Sequence, residues 1–99
     1  MGNTKQVCDD LETVLSSITS SGFDKVDPSI IEKLEKIGSE AGTLGMKTGK
    51  SLIDNLSGVL KSFKEGKSSV ESISLRFTAL EFYKKNIVDN QGTENEEIL

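Results

Sequence analysis

Because the 99 residues of this chain contain no histidine, acid–base or nucleophilic chemistry would have to rest mainly on carboxylates, lysines and one cysteine. Histidine is the usual general base near neutral pH and a common zinc ligand. Among the remaining groups, Glu32 and Lys36 stand four residues apart, which is typical of an exposed ion pair on a helix. We therefore predict no catalytic residue and expect a protein that is not an enzyme.

Two further features could indicate a site, and neither has the required context. Cys8 is the only cysteine, and the acidic Asp9 and Asp10 beside it disfavour a reactive thiolate. The Gly-Lys-Ser sequence at 49–51 ends like a phosphate-binding loop, but the first glycine of that motif would fall at Leu44, and no strand precedes it. We expect neither a metal nor an organic cofactor.

The charge of the chain is unevenly distributed. Residues 1–88 contain 12 acidic and 12 basic side chains, so the net charge of −4 comes from residues 89–99. A neutral body offers no basic surface for nucleic acid. No stretch reaches the roughly 20 apolar residues that span a bilayer, and the first residues lack the basic and apolar pattern of an export signal. We expect no nucleic acid, no membrane partner and a cytoplasmic location.

Apolar residues at helical spacing predict four helices. The first covers residues 4–20, with Asn3 or Thr4 as its cap. The second begins at Asp27 and Pro28, an aspartate that can cap and a proline that fits the first helical position. It ends in the glycine-rich stretch 42–45, which is either a turn or an almost direct junction. The third covers residues 47–64.

The fourth helix is predicted to start near residue 69, where Ser68 and Glu71 can form a capping box. Short connections favour packing in antiparallel, up-down order. The prediction is an all-α protein, an antiparallel up-down four-helix bundle formed by residues 1–88, followed by an acidic flexible tail over residues 89–99. A three-helix arrangement is the alternative if the first helix packs elsewhere.

The stretch from Leu34 to Phe63, which joins the end of the second helix, the glycine-rich segment and the amphipathic third helix, resembles the histidine-containing phosphotransfer domain and its motif. That motif has the form His-x-Leu-Lys-Gly-Ser-x-x-x-x-Gly. When Gly45 is aligned with its last glycine, Glu35 occupies the position of the phosphorylated histidine, while Gly38 and Ser39 replace the lysine and the first glycine. The resemblance implies a small helical bundle that lacks phosphotransfer activity and docks a receiver-type or other helical signalling protein.

The expected partner-binding residues are Glu35, Gly38, Ser39 and Gly42, which are spaced to form one strip along the second helix. Small residues on such a strip let another backbone approach closely. That backbone belongs either to a neighbouring helix of the same chain or to a partner.

Two other functions stay open. A small acidic immunity or antitoxin-like protein could use its tail or a helix surface to block a toxin. A helical structural subunit could oligomerise through the fourth helix, where Leu75, Ala79 and Phe82 widen the apolar stripe. The structural subunit predicts a dimer that a charge at Phe82 abolishes. For the chain as a whole we expect a monomer or a weak homodimer.

Overall fold

The computed structural model of the protein describes residues 3–89, with side chains up to Asn86. Four α-helices are present in this range: α1 (Thr4–Ser21), α2 (Pro28–Thr43), α3 (Lys47–Lys64) and α4 (Val70–Asp89). A short 3-10 helix (Phe23–Lys25) connects α1 to α2. Residues 3–89 contain no strand, which confirms the all-α prediction. Except for Asp89, which ends α4, the predicted tail lies outside the described residues.

Side-chain caps fix the beginnings of three helices. Asn3 accepts a hydrogen bond from the backbone N–H of Gln6 at 2.8 Å, and Asp27 accepts one from the N–H of Ser29 at 2.9 Å. Each cap satisfies an amide that the first helical turn leaves without a partner. At α4 the predicted capping residue was wrong by one position, because Ser69 rather than Ser68 accepts from the N–H of Ser72, at 3.2 Å.

The connection between α2 and α3 is a turn, which decides between the two predicted possibilities. Gly45 has a φ of 83°, a conformation that side chains disfavour. Beyond it, the N–H of Met46 donates to the carbonyl oxygen of Ala41 at 2.9 Å. This bond turns the chain back, and α3 begins one residue later.

One hydrophobic core lies between the helices. It is formed by buried apolar residues of all four helices, together with Val26 between α1 and α2 and Met46 between α2 and α3. The main contributors are Leu11, Leu15, Ile18, Leu34, Met46, Ile53, Leu56, Leu60, Ile73 and Leu80. The ring of Phe23 closes one end of the core against Phe77, with the ring centroids 5.2 Å apart.

Each helix packs against two others. The most extensive contact is between α2 and α3, and α4 contacts both α3 and α1. The contacts of α2 with α3 run in opposite residue order, since Gly42 faces Lys50 and Glu35 pairs with Lys61. Antiparallel neighbours give this order, and the antiparallel order of the whole bundle stays a prediction. None of the described helices has both the length and the apolar content needed to cross a bilayer.

Candidate functional site

The predicted partner-binding strip on α2 faces α3 at its two glycines. Gly38 is buried, and a methyl group there would stand 2.8 Å from Oδ1 of Asp54 and 3.1 Å from Cγ2 of Ile53. A methyl group on Gly42 would stand 2.8 Å from Cδ of Lys50. The small residues of the strip therefore admit a helix of the same chain, which is one of the two predicted alternatives.

Lys50 and Asp54 of α3 form an ion pair that lies across these glycines. The Lys50 Nζ is 2.7 Å from Oδ2 of Asp54, and both side chains are about half exposed. Gly42 accommodates the aliphatic part of Lys50, and Gly38 accommodates the carboxylate of Asp54. The pair would have to move before a partner could contact either glycine.

The other two residues of the strip remain at the surface. Glu35 forms an ion pair with Lys61 of α3, and both side chains are partly exposed. The hydrogen bond to Glu35 and its negative charge raise the pKa of Lys61 above its usual value. Ser39 is exposed. Glu35 and Ser39 are thus the exposed residues of the predicted strip, whereas Gly42 is half-buried beneath Lys50 and Gly38 is buried.

A second surface, on the outer side of α4, carries the most exposed large apolar side chains of the described residues. Leu75 is 72% exposed and Phe82 is 68% exposed, whereas Val70 and Leu44 are less so. Leu75 and Phe82 lie two turns apart on one side of the helix, and the exposed Thr78 and Ala79 lie between them. We call Leu75, Thr78, Ala79 and Phe82 the outer face of α4.

The outer face has a charged border. At 100° per residue, Glu71 and Lys85 fall on the same side of the Leu75–Phe82 line, near opposite ends of the face. Both side chains are exposed. The outer face therefore combines an apolar centre with one acidic and one basic end.

A shallow groove between α3 and α4 adjoins this face. Its lining includes Gly58, Val59 and Ser62 of α3 and Ser72, Leu75 and Arg76 of α4. A methyl group on Gly58 would meet no atom within 4 Å, so the α3 side of the groove is open. No sequence signal indicated this groove, because Gly58 lies on the exposed side of α3, away from its regular apolar stripe.

The described residues bring no acidic or cysteine side chains together in a group of three that could hold a metal ion. Cys8 is buried in the wall of the core on α1. Comparisons of the chain with protein-family models, with curated proteins and with solved structures found no match.

Proposed function

We propose that this chain is a non-catalytic protein-interaction module that binds its partner through the outer face of α4. The observation that carries the proposal is the exposure of Leu75 and Phe82, two large apolar side chains on one line of a helix. Exposed apolar surface that is concentrated on one face of a small protein often marks a contact with another protein or a ligand.

The shape of the outer face favours a helical partner. Large side chains stand at both ends of the face, and the smaller Thr78 and Ala79 lie between them, where another helix can approach closely. Helices commonly recognise apolar surfaces through anchors spaced by one or two turns. Leu75 and Phe82 would be the anchors, and Glu71 and Lys85 would orient the partner.

Site-specific photo-crosslinking tests the proposal. A photoreactive phenylalanine analogue replaces Phe82 in one variant and, as a matched control, the exposed Ser20 of α1 in another. We expect a protein adduct from position 82 and none from position 20 when the chain is irradiated in its native cells. The absence of any protein adduct at position 82 would contradict the proposal.

A second candidate is docking of a receiver-type partner at the accessible part of the α2 strip. The exposure of Glu35 and Ser39, one turn apart on α2, favours it. Glu35→Arg reverses the charge that such a partner would meet, and binding of a purified receiver domain can be measured by calorimetry. We expect weaker binding of the variant; equal binding of both proteins would rule the candidate out.

A further inference from the structure

We infer that the partner of the outer face is a second copy of this chain, bound through an antiparallel α4–α4 contact with two-fold symmetry. This inference rests on the proposed function, because it names the occupant of the same surface. It follows from the residue pairs that form when two α4 helices pack side by side in opposite directions, since apolar residues then meet apolar residues and acidic residues meet basic ones.

The apolar residues of the outer face pair with one another under such a two-fold axis. In a symmetric contact, residue i meets residue j of the partner while j meets i. If the axis passes midway between Thr78 and Ala79, Leu75 of the first copy lies opposite Phe82 of the second. By the same symmetry, Phe82 of the first copy lies opposite Leu75 of the second. Both exposed anchors are covered at once, and the small Thr78 and Ala79 occupy the point of closest approach.

The charged border pairs in the same register. Glu71 and Lys85 are placed almost symmetrically about the axis, so the carboxylate of one copy faces the ammonium group of the other at both ends of the contact. The two residues lie on the same side of the Leu75–Phe82 line, and a two-fold axis perpendicular to the helices brings identical sides together. A parallel α4–α4 contact would instead place the two copies of Glu71, and the two copies of Lys85, at equal heights but on opposite sides of the contact, where neither meets an opposite charge.

The contact is small. A single helix pair buries less than the roughly 800 Å² per partner of a standard stable interface, so the dimer should be weak and should form in the micromolar to millimolar range. Because the ion pairs are at the rim, they contribute more to orientation than to affinity.

Sedimentation equilibrium of the full chain, at concentrations up to about 1 mM, tests the dimer. We expect a monomer–dimer equilibrium that Phe82→Glu and Leu75→Glu each weaken by about tenfold or more, because each variant places a charge in the apolar centre. Leu44→Glu is the matched control, since Leu44 is an exposed apolar residue outside α4. The control should dimerise as the unmodified chain does. A monomer at every concentration would overturn the inference.

Charge exchange tests the orientation. Glu71→Lys and Lys85→Glu should each weaken the dimer about three- to tenfold, since each makes both rim contacts repulsive. The double variant should return to within about twofold of the unmodified chain, because the pairs are restored with the charges reversed. Single variants that leave the equilibrium unchanged, or a double variant weaker than both, would contradict this register.

Disulfide formation in a Cys8→Ser background gives a second test of register. An equimolar mixture of Leu75→Cys and Phe82→Cys chains should form a mixed disulfide dimer, whereas Leu75→Cys alone should not, because the two copies of residue 75 are separated by about two turns along the contact. Efficient disulfide formation by Leu75→Cys alone would indicate a parallel pair.

The same experiments separate this inference from the proposed function. An adduct from position 82 with the mass of two chains supports both. An adduct with a different protein, from a chain that sediments as a monomer, keeps the interaction module and overturns the second copy. An adduct within one chain, between position 82 and residues 90–99, contradicts both.

Discussion

Tyr83 of α4 lies directly over Gly49 of α3, where a methyl group would stand 2.7 Å from the tyrosine hydroxyl oxygen and 3.0 Å from Cε2. Both residues are buried. Gly49 thus makes room for the ring of Tyr83, and this contact fixes how closely the first turns of α3 approach α4. This contact is one of those that pack α4 against α3.

Gly49→Ala should destabilise the protein by about 1–3 kcal/mol, because the buried ring has to shift to admit the methyl group. Gly58→Ala is the matched control on the same helix, since its methyl group meets nothing within 4 Å. The control should stabilise the protein by about 0.5–1 kcal/mol through the better helix propensity of alanine. Urea unfolding measures both; equal effects would contradict the assigned packing of Tyr83.

Gly38 and Gly42 offer a similar comparison on α2. Gly38→Ala should destabilise the bundle by about 1–3 kcal/mol, because its methyl group would collide with the branched and buried Ile53 as well as Asp54. Gly42→Ala should change the stability by less than about 1 kcal/mol, because the partly exposed Lys50 side chain can swing away. Thermal unfolding of both variants checks this order, and the reverse order would be inconsistent with α3 covering the strip.

The Asp27 cap of α2 makes the stability of the protein depend on pH in the acidic range. The hydrogen bonds from Ser29 lower the pKa of Asp27 below its usual 3.8. The charged carboxylate is therefore favoured in the folded state, so its contribution is complete above pH 3.8 and is lost as the pH falls through the lower folded pKa. Asp27→Asn keeps an oxygen acceptor and does not titrate. As the pH falls, the melting temperature of the unmodified chain should decrease more than that of Asp27→Asn; parallel curves would be contrary to this expectation.

The ion pair between α2 and α3 gives the opposite dependence. The pKa of Lys61 is raised because Glu35 favours its charged form, so the stabilisation is complete below pH 10.5 and is lost as the pH rises through the folded pKa. Both side chains are about half exposed, and the effect should be small and screened by salt. The difference in melting temperature between the unmodified chain and Glu35→Gln should shrink in strong base and in high salt. A difference that persists in both conditions would argue against the pair.

The fold could be predicted from the sequence because local signals agree with one another. The apolar spacing of α3 gives its bounds, and Asp27 with Pro28 gives the start of α2, since both signals act within one or two turns. The capping residue of α4 was misplaced because two adjacent serines, Ser68 and Ser69, fit the same role. Propensity alone does not choose between neighbours with the same side chain.

The surface was harder to predict. The sequence showed that Gly38 and Gly42 allow a close approach, but the choice between α3 and a partner depends on how the helices pack. The widened stripe of α4 did indicate a second surface. Its exposure could not be derived, because Phe82 could equally have been covered by α1 or α3 in another packing.

The most direct measurement concerns the methyl groups of Leu75, which lie outside the core of a single chain and, in the proposed dimer, inside the contact between two chains. A soluble paramagnetic agent broadens the NMR signals of exposed methyl groups, and the fully buried Leu56 serves as the internal control. In dilute solution the agent should broaden Leu75 strongly and Leu56 hardly at all, and concentrating the protein should protect Leu75. A Leu75 signal that is as protected as that of Leu56 in dilute solution would contradict the account.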